Sequence, residues 1–143
     1  MRNPTLVLLI LMTALWAGTG VAFFHTPPSP YEPLGNDSVT PPLVKPGERF
    51  TVIRNYRLTR SEAVYITRAM LRGDCVTECE IIDLPSGPLE LAKGEYHNIA
   101  RTMVLPANVT PGRWELIYTV QWQDRFSRTS SMKLPPLMLD VLP

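Results

Sequence analysis

The chain has 143 residues, with 14 Lys and Arg against 13 Asp and Glu and a formal charge of +1. So even a balance excludes a strongly basic nucleic-acid binder and an acidic tail. The length beyond one membrane segment and a linker is about 100 residues, which suits one compact domain, and no repeat at solenoid spacing is present.

The chain opens with a short stretch, residues 1–4, expected on the cytoplasmic side. From Asn3 to Tyr31 there is no Asp, Glu, Lys or Arg. Within that stretch Thr5–Phe24 is almost wholly apolar. Twenty residues rising about 1.5 Å each reach about 30 Å, the thickness of a hydrocarbon core. A soluble amphipathic helix would carry a polar face, and this segment has none. Residues 5–24 are therefore expected to form a transmembrane helix, an uncleaved signal anchor that holds the chain in the lipid bilayer. A cleaved signal peptide is the alternative. Arg2 would be its positive start, and Ala17, Gly18 and Gly20 are small enough for a cleavage site. Against it, the apolar run continues through Val21, Ala22, Phe23 and Phe24. Arg2 precedes the segment and the first charge after it is Glu32. That bias orients the amino terminus to the cytoplasm and the carboxy-terminal domain to the periplasm or the extracellular side.

Residues 25–46 hold seven prolines, Pro27, Pro28, Pro30, Pro33, Pro41, Pro42 and Pro46. Proline fixes φ and lacks an N–H, so neither a helix nor a central strand is expected. The segment reads as an extended linker that holds the domain away from the bilayer. A proline-rich ligand for a partner's groove is the alternative reading.

Residues 47–143 alternate with the period of strands. Trp114, Leu116, Tyr118, Val120 and Trp122 share one phase, opposite Glu115, Thr119, Gln121 and Gln123. This half-buried strand is the candidate for the centre of the core. Leu137, Leu139 and Val141 alternate likewise. Phe50, Val52, Tyr56 and Leu58 share a phase that Arg54 interrupts, and Val64, Ile66 and Met70 share one that Arg68 interrupts. The alternation alone leaves open whether these two arginines are buried in pairs or exposed. Pro46-Gly47 and Pro111-Gly112 suit type II turns. Ser86-Gly87-Pro88 and Lys93-Gly94 mark further turns. About seven strands are expected, near 48–58, 63–72, 79–84, 89–92, 97–105, 113–124 and 133–142. The fold class is all-β, an antiparallel β-sandwich behind one amino-terminal transmembrane helix.

Cys75 and Cys79 are the only cysteines. Four zinc ligands do not assemble around them, and the spacing is not Cys-x-x-Cys. In an exported domain they are expected to form a disulfide that pins the turn between two strands. Arg72-Gly73-Asp74-Cys75, Cys79-Glu80-Ile81-Ile82-Asp83, Ser86-Gly87, Leu105-Pro106, Pro111-Gly112 and Trp114 resemble the pattern of small exported proteins encoded in tailed-bacteriophage genomes. The resemblance covers most of residues 40–143. It implies one membrane helix followed by an immunoglobulin-like sandwich, and it carries over no functional residue.

No Gly-x-Ser-x-Gly, His-Glu-x-x-His or phosphate-loop pattern occurs, so no catalytic residue, cofactor or metal is expected. Residues 49–72 are rich in arginine and residues 74–95 in Asp and Glu. Cross-strand pairing accounts for that segregation, and a basic face for an anionic partner is its functional alternative. Arg125 and Arg128 flank Phe126 at an expected hairpin tip, a candidate partner contact. The expected function is a membrane-anchored, non-enzymatic binding or scaffolding protein, possessing a protein partner or a second copy of itself. Its expected setting is a phage-infected host envelope. The alternatives are a structural subunit of a virion or membrane-embedded assembly, and an envelope-degrading lysis enzyme.

Overall fold

A computed structural model describes residues 12–13, 28–61, 63–73, 79–124 and 127–143. The described chain is nearly all β, as expected. Its strands are β1 (Tyr31–Pro33), β2 (Ser38–Thr40), β3 (Leu43–Val44), β4 (Arg49–Leu58) and β5 (Val64–Arg72). They continue with β6 (Ile81–Leu89), β7 (Gly94–Val104), β8 (Gly112–Gln123), β9 (Thr129–Lys133) and β10 (Leu137–Val141). Of the expected membrane segment only Met12 and Thr13 are described, and the rest of 5–24 lies outside the described residues. Among the described residues no helix is long and apolar enough to cross a membrane.

The strands form two sheets. In the first, β7 runs antiparallel along β4 from Arg49↔Val104 to Leu58↔Gly94. That occupies one edge of β4, so β1 and β2 share the other. β1 pairs with residues 56–58 and β2 with residues 51–53. In the second sheet β8 is central, with β5 along one edge from Val64↔Trp122 to Arg72↔Trp114. β10 and β9 share the opposite edge, β10 against residues 112–116 and β9 against residues 119–123. β6 lies outside β5 and β3 outside β10. The β3–β10 pair is parallel, so this sheet is mixed rather than purely antiparallel.

One core fills the space between the sheets. β8 contributes Trp114, Leu116, Tyr118, Val120 and Trp122, all buried, as its alternation predicts. β4 contributes Phe50, Val52, Tyr56 and Leu58, and β5 contributes Val64, Ile66 and Met70. Burying each such apolar side chain stabilises the fold by about 1.5–3 kcal/mol. Every second residue of these strands points inward, so a shift by one residue would expose the whole set.

The structure corrects the sequence reading in three places. First, the expected linker 25–46 holds β1, β2 and β3, and Tyr31 and Val44 lie in the core. Proline bars a central strand, not an edge strand. Pro33 ends β1, and β1 to β3 each pair on one side only. Second, the expected strand 79–84 runs on through Ser86-Gly87-Pro88 to Leu89 as β6, and of the expected strand 89–92 only Leu89 is extended in a sheet. Gly87 and Pro88 pair with Ile66 and Tyr65, and the β5–β6 ladder is irregular between Leu84 and Gly87 without reversing. Third, the expected strand 133–142 is confined to β10, and Leu134–Pro136 separate it from a further strand, β9, that the sequence reading did not expect. Pro135 and Pro136 have no N–H to give to a ladder.

Pro46-Gly47 forms the expected turn. Glu48 N–H donates to the Lys45 carbonyl at 3.0 Å, and Gly47 has φ +85°. Gly112 serves differently. A Cβ there would meet Arg72 Nη2 at 3.3 Å, so the glycine admits the close approach of a guanidinium.

Candidate functional site

Arg54 and Arg68 break the apolar phase of their strands, and both side chains point inward. Each is over nine-tenths buried, at 5% and 6% exposure. They come from opposite sheets and meet at Tyr118, which stands directly across from Arg68 in the β5–β8 ladder. The Arg54 guanidinium lies 4.3 Å from the Tyr118 ring centroid and that of Arg68 lies 5.5 Å from it. A guanidinium near a desolvated ring gains about 2 kcal/mol from the ring quadrupole.

Both arginines sit beside irregularities in their ladders. The β4–β7 register shifts between Arg54 and Tyr56, and the β5–β6 register shifts between Ile66 and Arg68. In the first, Asn98 adopts φ +54° and its N–H donates to Asn55 Oδ1 at 2.8 Å. Asn55 Nδ2 donates in turn to the Asn36 carbonyl, tying the edge segment to the same point. In the second, Ser86 Oγ accepts from the Arg68 N–H at 2.9 Å and donates to the Leu84 carbonyl. Bulges re-aim side chains and collect beside functional sites.

The two cations are held differently. Arg54 Nη1 donates to Asp37 Oδ2 at 2.7 Å, in an ion pair almost wholly buried. Asp37 Oδ1 accepts the Asn55 N–H at 2.8 Å, so the carboxylate is itself fixed. Arg68 Nη1 donates to the Pro85 carbonyl at 2.8 Å, and among the described residues it makes no ion pair. Arg54 Nε and Nη2, Arg68 Nε, and the hydroxyls of Tyr56 and Tyr118 find no partner among the described protein atoms.

These groups line a cleft of about 180 Å³. Tyr31, Val52, Arg54, Tyr56, and Ile99 to Arg101 line it from the first sheet. Ile66, Arg68, Leu89 and Tyr118 line it from the second. Ile99 and Arg101 are exposed and set the mouth. Burial lowers the pKa of Arg68, and the nearby Arg101 charge adds to that. Burial also raises the Tyr118 hydroxyl, against the pull of Arg68, Arg54 and Arg101. Tyr31 stacks on Tyr56 at 4.8 Å and Tyr56 on Tyr96 at 5.4 Å, giving that wall an aromatic ladder. Burial raises the Tyr31 and Tyr56 hydroxyls as well, so all three cleft phenols stay protonated and can donate.

The residues singled out from sequence fall elsewhere. Arg125 and Phe126 lie outside the described residues. Arg128 closes the loop from Gln123 to Thr129, its N–H and Nε donating to Asp124 at 2.9 and 2.7 Å. Cys75 also lies outside the described residues, and Cys79, just before β6, is not a free thiol. The arginine-rich and acid-rich blocks pair in part across strands, Arg57 with Glu95 and Arg72 with Glu80. Among the described residues no cluster of His, Cys, Asp and Glu suits a metal ion.

No family model and no curated protein matches the chain. Nine solved chains are similar to it, among them these two. One is Pseudomonas fluorescens alkylpurine DNA glycosylase AlkC bound to DNA containing an abasic site analog, at 15% identity and TM-score 0.50. That match covers 82% of this chain and 32% of the glycosylase chain. The other is the sporulation control protein Spo0M from Bacillus subtilis, at 14% identity and TM-score 0.41, covering 76% of this chain and 50% of that one. The chain thus spans about a third of the first and half of the second. The first likeness is one of fold alone.

The phase breaks at Arg54 and Arg68 were the signal in the sequence for this site. Asp37 carried none, because it stands in the proline-rich stretch. Nor did Tyr118, whose inward phase looks like ordinary core until two cations are placed beside it.

Proposed function

We propose that this chain is a membrane-anchored, non-enzymatic binding or scaffolding protein whose exported domain is an immunoglobulin-like β-sandwich, acting at the envelope of a phage-infected host. The observation that carries the binding reading is the cleft. Its polar groups are guanidiniums and phenols, which recognise partners by charge, stacking and hydrogen bonds. The apolar run at residues 5–24 supports the anchor, and two sheets around one core support the sandwich. The test is purification of the full chain from its native membrane in mild detergent, with mass spectrometry of what accompanies it. A stoichiometric partner whose capture is lost with Arg68→Met supports the reading. Full function after deletion of residues 1–24 would overturn the anchor.

A second reading, a subunit of a larger assembly, is favoured by β7. This eleven-residue strand pairs only with β4 among the described strands, and it exposes Ile99 and Val104. Long edges with exposed apolar residues invite pairing with another chain. Discrete oligomers in mild detergent would select this reading, and a strict monomer would remove it.

A further inference from the structure

We infer that the cleft between β4, β5, β7 and β8 is a binding site for a phosphate monoester carried on an apolar body. The inference rests on reading the cleft as a binding site, and it is independent of the membrane anchor.

Charge is the first argument. Arg54, Arg68 and Arg101 line the cleft, and Asp37, bound to Arg54, is the carboxylate that offsets them. Two positive charges remain in excess. A phosphate monoester carries about −1.5 to −2 charges at pH 7, which matches that excess. A carboxylate would balance only half of it.

Donor count is the second. Arg54 Nε and Nη2, Arg68 Nε, and the Tyr56 and Tyr118 hydroxyls are buried without partners among the described protein atoms. Leaving each unsatisfied costs about 1–3 kcal/mol. Water would satisfy donors, but it would not neutralise the Arg68 guanidinium, which is held away from solvent and makes no ion pair among the described residues. A phosphate supplies the opposite charge, and its three terminal oxygens can accept from several donors at once.

The walls supply the third. Val52, Ile66, Leu89 and Ile99 are apolar and lie around the charged centre. They suit a hydrocarbon or aromatic body attached to the phosphate, as small-molecule sites generally combine an apolar lining with few polar groups. The same headgroup chemistry is offered by a soluble organic phosphate and by phosphatidic acid.

The test is calorimetric titration of the full chain in mild non-ionic detergent, with phenyl phosphate, phenylacetate, dioctanoyl phosphatidic acid and dioctanoyl phosphatidylcholine as probes. Phenyl phosphate is expected to bind saturably below about 10 mM, an affinity within reach of a few charge-assisted hydrogen bonds. Phenylacetate should bind at least about tenfold more weakly, the difference expected from one charge-assisted contact. Arg68→Met and Arg101→Met should each weaken phenyl phosphate about tenfold or more. Arg101 is exposed, so its substitution keeps the test valid if Arg68→Met does not fold. Phosphatidic acid binding with the same sensitivity to Arg101→Met assigns a lipid headgroup as the source. Phenyl phosphate binding without phosphatidic acid binding assigns a soluble ligand. No saturable binding by either phosphate, or equal binding of phenylacetate, overturns the inference. So does phosphate binding indifferent to both substitutions. If partner capture still depends on Arg68 while no phosphate binds, the phosphate inference falls and the binding reading stands.

Discussion

Arg54 on β4 and Tyr118 on β8 bridge the two sheets, with the guanidinium 4.3 Å from the ring centroid. The contact lies between the sheets, where Tyr118 belongs to the core and both side chains line the cleft. The Tyr118 hydroxyl has no partner among the described protein atoms. Tyr118→Phe keeps the ring and deletes that hydroxyl. It should leave stability unchanged or raise it by up to about 1 kcal/mol. Tyr118→Leu loses the ring and should destabilise by about 1–2 kcal/mol from the cation–π contact alone. Urea unfolding of both variants, followed by tryptophan fluorescence, checks the pair.

Asp37 is the carboxylate that faces Arg54 inside the protein. Asp37→Asn keeps the shape and removes the charge, so the guanidinium stays buried and uncompensated. Breaking one side of a buried pair costs about 3–5 kcal/mol. The double variant Asp37→Asn, Arg54→Met should recover most of that loss. A denaturation cycle over the four proteins measures the coupling, and additive losses would contradict the buried pair.

The exposed Glu95 carboxylate accepts from Arg57, and that hydrogen bond and charge hold its pKa below the ordinary 4.5. A carboxylate with a lowered folded pKa contributes stability that is present above its unfolded value and is lost as pH falls through the folded one. The Arg57–Glu95 contribution should therefore disappear below pH 4.5, not in the neutral range. Carbon-detected NMR titration should place Glu95 below that value in the native protein and return it toward 4.5 in Arg57→Gln.

Ser86 accepts the Arg68 N–H and donates to the Leu84 carbonyl where the β5–β6 ladder is interrupted. Ser86→Ala should cost about 1 kcal/mol, the net worth of such a hydrogen bond. Its larger effect should fall on ligand affinity, because the irregularity aims Arg68. A variant that loses stability but binds as before would show that Ser86 does not position the cation.

Much of this was legible in the sequence, and the residues explain where legibility stopped. The β8 phase from Trp114 to Trp122 is unbroken, so both its existence and its inward face could be read. Arg54 and Arg68 stood out as phase breaks, yet alternation reports direction without reporting what waits there. The β5–β8 register and the packing of the two sheets show that both cations converge on Tyr118. The strands β1, β2 and β3 were illegible because two or three residues carry no period, and proline content dominated the stretch. Ser86-Gly87-Pro88 misled because turn residues also build bulges.

The β3–β10 pair has a consequence for synthesis. A ribosome delivers Leu43 and Val44 long before their partners Asp140 and Val141. Until β10 emerges the second sheet must wait with an unzipped border. The Arg54–Asp37 pair joins residues 17 apart and can assemble as soon as both emerge. Arg68 meets Tyr118 only after fifty further residues or so have been made, a delay typical of non-local strand pairing. The nascent chain therefore places the first of the two cations long before the ring on which both will rest, and it fastens that border only once β10 has emerged.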